Sequence, residues 1–336
     1  MIESPGIKEV VLAATELIPS SAESKRQKTR KTLLNIIEGR IQNPNTRRAY
    51  KNAWKNFFEF CSEYKLALDR VEPFHLGMFL RRHLGGVATQ RQHLSAIRLL
   101  FDELLEQGVV ELNPAARTKP PRLQRESSHT PIFEAAEIKA FLEAIKLECL
   151  RDVRDMALFC VLAYSWARVS AVAALNVEDY FERKGTRWLR FQEKRGKIHE
   201  VPVHSEAREA VDRWIAASGL GPSAPLFPAF APDKQTFAKD KETNELRHLD
   251  RGGIFWLLQA RAKASGLEKK VCVHSFRATG ITEYLNAGGS IHLAKRIAGH
   301  SQLSTTQIYD HSGDGGMIAA IEKVSYSDVN IPTTAP

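Results

Sequence analysis

The sequence predicts a mainly α-helical protein with a small antiparallel β-sheet, an α+β chain in two domains. Three observations predict it. Two long segments space their apolar residues as a helix does. TRWLRFQ and HEVPVH are short β-type runs on either side of EKRGKI, where Gly196 supplies a turn. Residues 113–131, NPAARTKPPRLQRESSHTP, are rich in Pro, Ser and charge and lack periodicity, as a linker does. At 336 residues and 43% hydrophobic content the chain is long enough for two cores.

Residues 1–27 read as a flexible arm with a short helix at Ile7–Ile18. Its basic run, Lys25, Arg26, Lys28, Arg30 and Lys31, suits a DNA-contacting arm, a localisation signal or a solvated tail, and the tail is the expected reading. Residues 28–116 read as a helical domain. In NPNTRRAYKNAWKNFFEFCSEY, Asn45 is the expected N-cap, and Tyr50, Trp54, Phe57, Phe58 and Cys61 share one face. Arg47, Arg48 and Lys51 fall largely on other faces. A second helix is expected over Thr89–Gln107, with Leu94, Ile97, Leu100, Phe101, Leu104 and Leu105 as its stripe and Gly108 as its end. Gln90, Arg91 and Arg98 lie outside that stripe. Residues 117–131 are the linker proper. Residues 132–312 then read as a mixed domain, in which 221–252 is a polar insertion. Residues 313–336 read as a C-terminal helix and tail.

The net charge of +9 suits a polyanion, and it is unevenly placed. Residues 1–127 hold 21 Lys and Arg against 14 Asp and Glu, a net of +7. Charge alone leaves DNA, RNA and a membrane surface open. The four cysteines form no CxxC pair and no zinc spacing, so they read as small buried residues of a reducing compartment. Glu3 and Glu16 argue against a secretory signal, and the longest apolar stretch, Met156–Ala167, is too short to span a bilayer. A cytoplasmic protein with no membrane partner is expected.

HxxR occurs twice, as His248 with Arg251 and as His274 with Arg277. With 11 histidines and 27 arginines about one hit arises by chance, so the motif alone is weak. The second hit opens a longer pattern: His274, Arg277, then Gly299, His300, Thr305, Thr306, Tyr309 and His311. That order, HxxR followed about twenty residues later by GHxxxxTTxxYxH, resembles the tyrosine recombinase, or phage integrase, family. MALFCVLAYSWARVSAVAALNVEDY resembles the segment around the family's first arginine, here Arg168. QEKRGKIHEVPVH resembles its β-hairpin lysine segment, with Lys194 in the lysine position and Lys197 the runner-up. NTRRAYKNAWKNFFEFC resembles the start of the family's N-terminal core-binding domain, and the likeness spans roughly 30–312. Two departures stand out. The family often has a Gly-containing turn before the first arginine and a Glu three residues after it. This chain has Ser165-Trp166-Ala167 and then Ala171. The job of that Glu falls to another acid, such as Glu178 or Asp179, or goes undone.

The resemblance implies a C-shaped clamp on double-stranded DNA and a site of Arg168, Lys194, His274, Arg277, His300 and Tyr309. Those residue types suit phosphodiester chemistry. Charge gathering on five-coordinate phosphorus needs fixed cations and donors, and arginine forks match phosphate oxygens. Arg168 and Arg277 take that role, with His300 as a further donor. Tyr309 is the nucleophile that forms a 3′-phosphotyrosine. A phenol with pKa near 10 must lose its proton in the attack, and His274 is the base. Lys194 is the acid for the leaving 5′-oxygen. The covalent link conserves bond energy, so no cofactor or metal is expected.

Each residue also has an ordinary reading when taken alone. Arg168 reads as a salt-bridge residue, Lys194 as a turn lysine, His300 as a helix cap and Tyr309 as a core aromatic. A metal site from His274, His300 and His311 lacks a carboxylate to complete it. Arg47, Arg48, Lys51, Gln90, Arg91 and Arg98 are the expected DNA contacts. The family likeness further implies a homotetramer on two sites, and the apolar side of the helix after Tyr309 suits packing on a neighbour or on its own chain. Accessory DNA-bending or directionality factors are further candidate partners. A topoisomerase IB-like nicking-closing enzyme and an inactive DNA-binding accessory protein are the alternatives.

Overall fold

The computed structural model describes residues 6–122, 130–192 and 196–310. They fall into two compact units, Met1–Gln124 and Arg125–Pro336. The chain is mainly helical with one three-stranded antiparallel sheet. Among the described residues no helix is long and apolar enough to cross a membrane.

The first unit contains α1 (Ile7–Glu16), α2 (Glu23–Leu34), α3 (Pro44–Glu63), α4 (Pro73–Arg82) and α5 (Val87–Glu106), with a π-helical turn at Asn35–Arg40. The arm expected over 1–27 is instead structural from Ile7 onward. Val10, Val11 and Ala14 of α1 and Leu33 of α2 lie in the same core as Trp54, Phe57 and Leu100. Hydropathy conceals α2 because its buried residues include Thr29 and Thr32. Their hydroxyls donate to the Lys25 and Lys28 carbonyls at 2.8 Å each, which satisfies them without water.

The cap of α3 is Asn43 rather than Asn45. The Asn43 carboxamide oxygen accepts from the Asn45 and Thr46 amides at 3.0 and 3.1 Å, and Pro44 occupies the first helical position. Trp54 Nε1 donates to the Ala96 carbonyl at 2.8 Å and so fastens α3 to α5. Leu105, expected in the α5 stripe, is 41% exposed, because the neighbouring Leu104 already faces the core and adjacent helical residues point about 100° apart. The expected linker also starts tied down. Arg98 donates to the Ala115 and Thr118 carbonyls at 3.1 and 3.0 Å, and Arg91 to that of Pro121 at 2.8 Å.

The second unit contains α6 (Ala135–Glu143), α7 (Leu150–Ser165), α8 (Val169–Ala173), β1 (Tyr180–Arg183), β2 (Thr186–Gln192), β3 (Ile198–Pro202), α9 (Ser205–Ser218), α10 (Arg251–Ala264), α11 (Val273–Asn286), α12 (Ile291–Ala298) and α13 (Ser304–Gln307). The expected strand pair is β2 and β3. The sequence reading missed β1, which joins β2 through Lys184-Gly185, both at positive φ, a tight hairpin turn. Leu189 sits opposite both Tyr180 and Val201, so the sheet's buried face is continuous.

The insertion 221–252 is anchored at both ends. Leu226 and Phe227 are buried, and Trp214 Nε1 donates to the Leu226 carbonyl at 2.6 Å. His248, of the first HxxR, bonds through Nδ1 to the Ala173 carbonyl at 2.9 Å, which is a structural role.

α7 is buried nearly all round and carries ions into the core. Asp155, with no exposed surface, accepts from Arg154 at 2.6 and 3.0 Å and from Arg261 of α10 at 2.5 and 3.0 Å. Asp152 also pairs with Arg261, and Arg154 reaches the Pro228 carbonyl at 2.9 Å. Asp155→Ala would remove the carboxylate that Arg154 and Arg261 share and leave the buried Arg154 with a carbonyl alone among these bonds. It is expected to cost about 3–5 kcal/mol of unfolding free energy, read from denaturant midpoints. A loss below about 1 kcal/mol would show that the network does not hold α7 to α10.

Candidate active site

Four local signals build the site. The first is the end of α7. Ser165 donates its hydroxyl to the Val161 carbonyl at 2.6 Å and accepts from the Ala167 amide at 3.2 Å. Between them Trp166 turns left-handed, at φ 52°, a conformation that costs a non-glycine residue roughly 1–2 kcal/mol. The turn stops the helix, and Arg168 follows as the half-buried N-cap of α8.

The second signal is the first turn of α11. His274 and Arg277 stand three residues apart and therefore share a helical face. Arg277 is 2% exposed and donates through Nη1 to the Trp166 carbonyl. The turn before the first arginine therefore holds the second one. His274 is exposed. Partial desolvation, then the charges of Arg277 and Arg168, lower its pKa below the ordinary imidazole value.

The third signal is Gly299-His300. Gly299, at φ 65°, takes the left-handed position that ends α12, and the His300 amide closes the end on the Lys295 carbonyl at 3.0 Å. This turns the His300 ring inward, where it is buried. Desolvation pushes its pKa down to about 3, helped by the charges of Arg277 and Arg168 and by His274. His300 Nδ1 lies 2.9 Å from the Thr306 hydroxyl.

The fourth is the short α13, from which Tyr309 follows, its amide bonded to the Thr306 carbonyl at 3.0 Å. Tyr309 is 3% exposed. Its ring lies parallel to that of His300, with centroids 6.3 Å apart and planes 7° apart. It belongs to a small apolar cluster with Trp166, Ala278, Ile281, Leu285 and Ala298.

Five of the six expected residues are thus drawn together from α7–α8, α11, α12 and α13. Lys194 and His311 lie outside the described residues. Lys197 is exposed beside Gly196, whose φ of 71° makes the turn. The β2–β3 hairpin is tied to α12 by His199 Nε2, 2.8 Å from the Ile297 carbonyl. Ala171 is buried, Asp179 accepts from the Asn176 amide at 3.0 Å, and Glu178 is exposed. Sequence reasoning missed Trp166 as the acceptor for Arg277. It also gave Thr306 no role, although its place between His300 and Tyr309 was a usable signal.

Among the expected DNA contacts, four bond to backbone carbonyls of their own unit. Arg47 donates to Ile41 at 3.2 and 2.9 Å and Gln90 to Gly85 at 3.1 Å, alongside Arg91 and Arg98 as above. Arg48 is exposed and Lys51 half-buried, both on α3.

The His300 shift has a definite sign. Its folded pKa lies below the unfolded value near 6.5, so the unfolded chain binds the proton first as pH falls. Its contribution makes stability drop between pH of roughly 6.5 and 3. His300→Gln is expected to flatten that part of a melting-temperature profile, and an unchanged profile would refute a buried neutral imidazole.

The phage integrase family model matches residues 131–315. Tyrosine recombinase XerC of Leptospira interrogans is 27% identical over 297 residues, covering 87% of this chain and 91% of that protein. XerD of Pseudomonas aeruginosa is 26% identical over 277 residues, covering 80% and 86%. The fold matches XerH recombinase bound to difH in a post-cleavage complex, with a TM-score of 0.65, 16% identity and coverage of 96% and 98%. It also matches a lambda integrase tetramer bound to a Holliday junction, with a TM-score of 0.63, 15% identity and coverage of 94% and 84%. With the motif residues gathered as they are, the chain belongs to the phage integrase family and is a tyrosine-type site-specific recombinase that acts on DNA.

Proposed function

We propose that Arg168, Lys194, His274, Arg277, His300 and Tyr309 act together on one scissile phosphate of double-stranded DNA. One observation carries this reading: the His300 imidazole feels both guanidinium charges while lying parallel to the Tyr309 ring. Arg168 and Arg277 grip non-bridging oxygens and meet the charge that builds on phosphorus. A Thr306 hydroxyl donating to His300 Nδ1 leaves Nε2–H as a third donor to the phosphate. His274, its pKa lowered, stays neutral near pH 7 and can take the phenol proton. Tyr309 Oη bonds phosphorus, the bond to the 5′-oxygen breaks, and Lys194 supplies that oxygen's proton. Attack by a 5′-hydroxyl on the phosphotyrosine reverses these steps and rejoins a strand, with no net change in phosphodiester bonds.

The role is integration, excision or resolution of mobile DNA, carried out in the cytoplasm at the nucleoid. The working species is a homotetramer on two sites, a reading supported by the lambda integrase tetramer on a Holliday junction. The segment 313–336, expected to pack on a neighbour, lies outside the described residues. Arg48 and Lys51 are the α3 residues proposed to meet backbone phosphates. Arg47, Gln90, Arg91 and Arg98 combine that proposed role with their carbonyl bonds.

Incubation with nicked fragments of host DNA should trap a covalent adduct with the wild-type protein and none with Tyr309→Phe. Sequencing the trapped and joined DNA then gives the site. No wild-type adduct would favour a DNA-binding accessory protein, and supercoil relaxation without recombinant product would favour a topoisomerase IB-like enzyme. Separately, Arg48→Ala should lower the slope of log affinity against log salt by about 0.9, one phosphate's worth. An unchanged slope removes Arg48 from the interface.

A further inference from the structure

We infer that Trp166 is a positioning residue for cleavage, and that the absence of a side chain at Gly280 exists to seat its indole. Three contacts meet at this residue. Its carbonyl accepts from Arg277 Nη1. Its backbone turn delivers Arg168 two residues later. Its ring belongs to the same small cluster as Tyr309. Trp166 thus bears on both phosphate-gripping cations through its backbone and shares a cluster with the nucleophile through its ring.

The backbone makes the choice of residue informative. Trp166 adopts φ 52°, where glycine is free of strain and tryptophan is not. The family often has a Gly-containing turn at this place. A bulky residue held in an unfavourable conformation implies that its side chain does something a glycine could not. The opposing helix shows what it does. A Cβ at Gly280 of α11 would overlap the indole at Nε1 and Cδ1. Gly280 lies three residues after Arg277 on the same helical face, so the ring is wedged against the turn that carries the guanidinium. Tyr284, one turn further on, closes the other side, with ring centroids 5.4 Å apart. The indole therefore fixes the distance between the end of α7 and the first turn of α11. That distance determines where the two arginine forks stand relative to one another.

The inference rests on the proposed roles of Arg277 and Tyr309, and the test separates the two. Single-turnover formation of the covalent adduct is measured on a suicide duplex carrying the site recovered by adduct sequencing. Affinity for the same duplex and thermal unfolding are measured alongside. Trp166→Gly and Gly280→Ala should each slow adduct formation by about tenfold or more while leaving affinity unchanged, since sub-ångström misplacement acts on the reacting geometry. Trp166→Phe, which keeps a ring in the seat, should retain more activity than Trp166→Gly. In the Trp166→Gly background the Gly280→Ala change should cost nothing further, because the added methyl then meets no indole.

The inference is overturned if Trp166→Gly cleaves as fast as wild type. It is equally overturned if Gly280→Ala slows cleavage by the same factor with and without the indole, or if affinity falls while cleavage of bound DNA does not. Should Trp166→Gly fail to fold, the Trp166→Phe and Gly280→Ala proteins make the same comparison, and full activity in both refutes it. An adduct formed by Tyr309→Phe would instead sink the site itself and leave the seating of the indole untouched.

Discussion

A guanidinium held at 2% exposure is the constraint on which the catalytic unit's active end depends. Arg277 stays charged at every physiological pH, so its burial has to be compensated by dipoles or ions in fixed positions. The Trp166 carbonyl is one such dipole, and it points at Nη1 only because α7 ends in a left-handed turn. The same turn sets the start of α8 and therefore the position of Arg168. A helix terminus, a buried cation and an N-cap are thus one structural decision, made over the three residues Ser165, Trp166 and Ala167.

The opposite approach is used along the body of α7. There Asp152 and Asp155 face Arg154 and Arg261, and buried charge is matched by buried charge. Such a network is self-contained. Its anions lower the free energy of its cations, and an outside phosphate has little to gain there. Around Arg277 one partner is a neutral carbonyl, and both histidines nearby are driven towards their neutral forms. The network along the body of α7 is electrostatically closed and stabilises the fold. On the proposed reading, the end of the helix meets the scissile phosphate. Removing an acid from the first should affect stability, whereas moving a group at the second should affect chemistry.

The legible part of the molecule was the part written in side-chain spacing. Trp54, Phe57 and Phe58 announced α3, and Leu94, Ile97 and Leu100 announced α5. His274, Arg277, His300 and Tyr309 announced the family and the candidate site, because their order and separation are independent of how the chain bends between them. What escaped was carried by the backbone or by polar atoms satisfied locally. Thr29 and Thr32 are buried only because their hydroxyls bond back along α2, so the first helices looked like a solvated arm. The carbonyl bonds of Arg47, Arg91 and Arg98 escaped because their partners lie 6 to 30 residues away in sequence. The seat at Gly280 was unreadable for a related reason: a missing Cβ has meaning only beside the ring that fills its place.

The depressed histidine pKa values bear on the order of events. Desolvation and the two arginines hold His300 near 3 and His274 below its ordinary value while no phosphate is present. A phosphodiester bound among these groups brings a negative charge into the same small volume, and that charge favours each imidazolium. His274 would therefore become a stronger base once substrate is in place. On the proposed reading, the arrival of the phosphate thus favours proton transfer at its imidazole end. On the proposed reading, the basicity of His274 is therefore highest when the phosphate that the 3% exposed Tyr309 must attack is already in place.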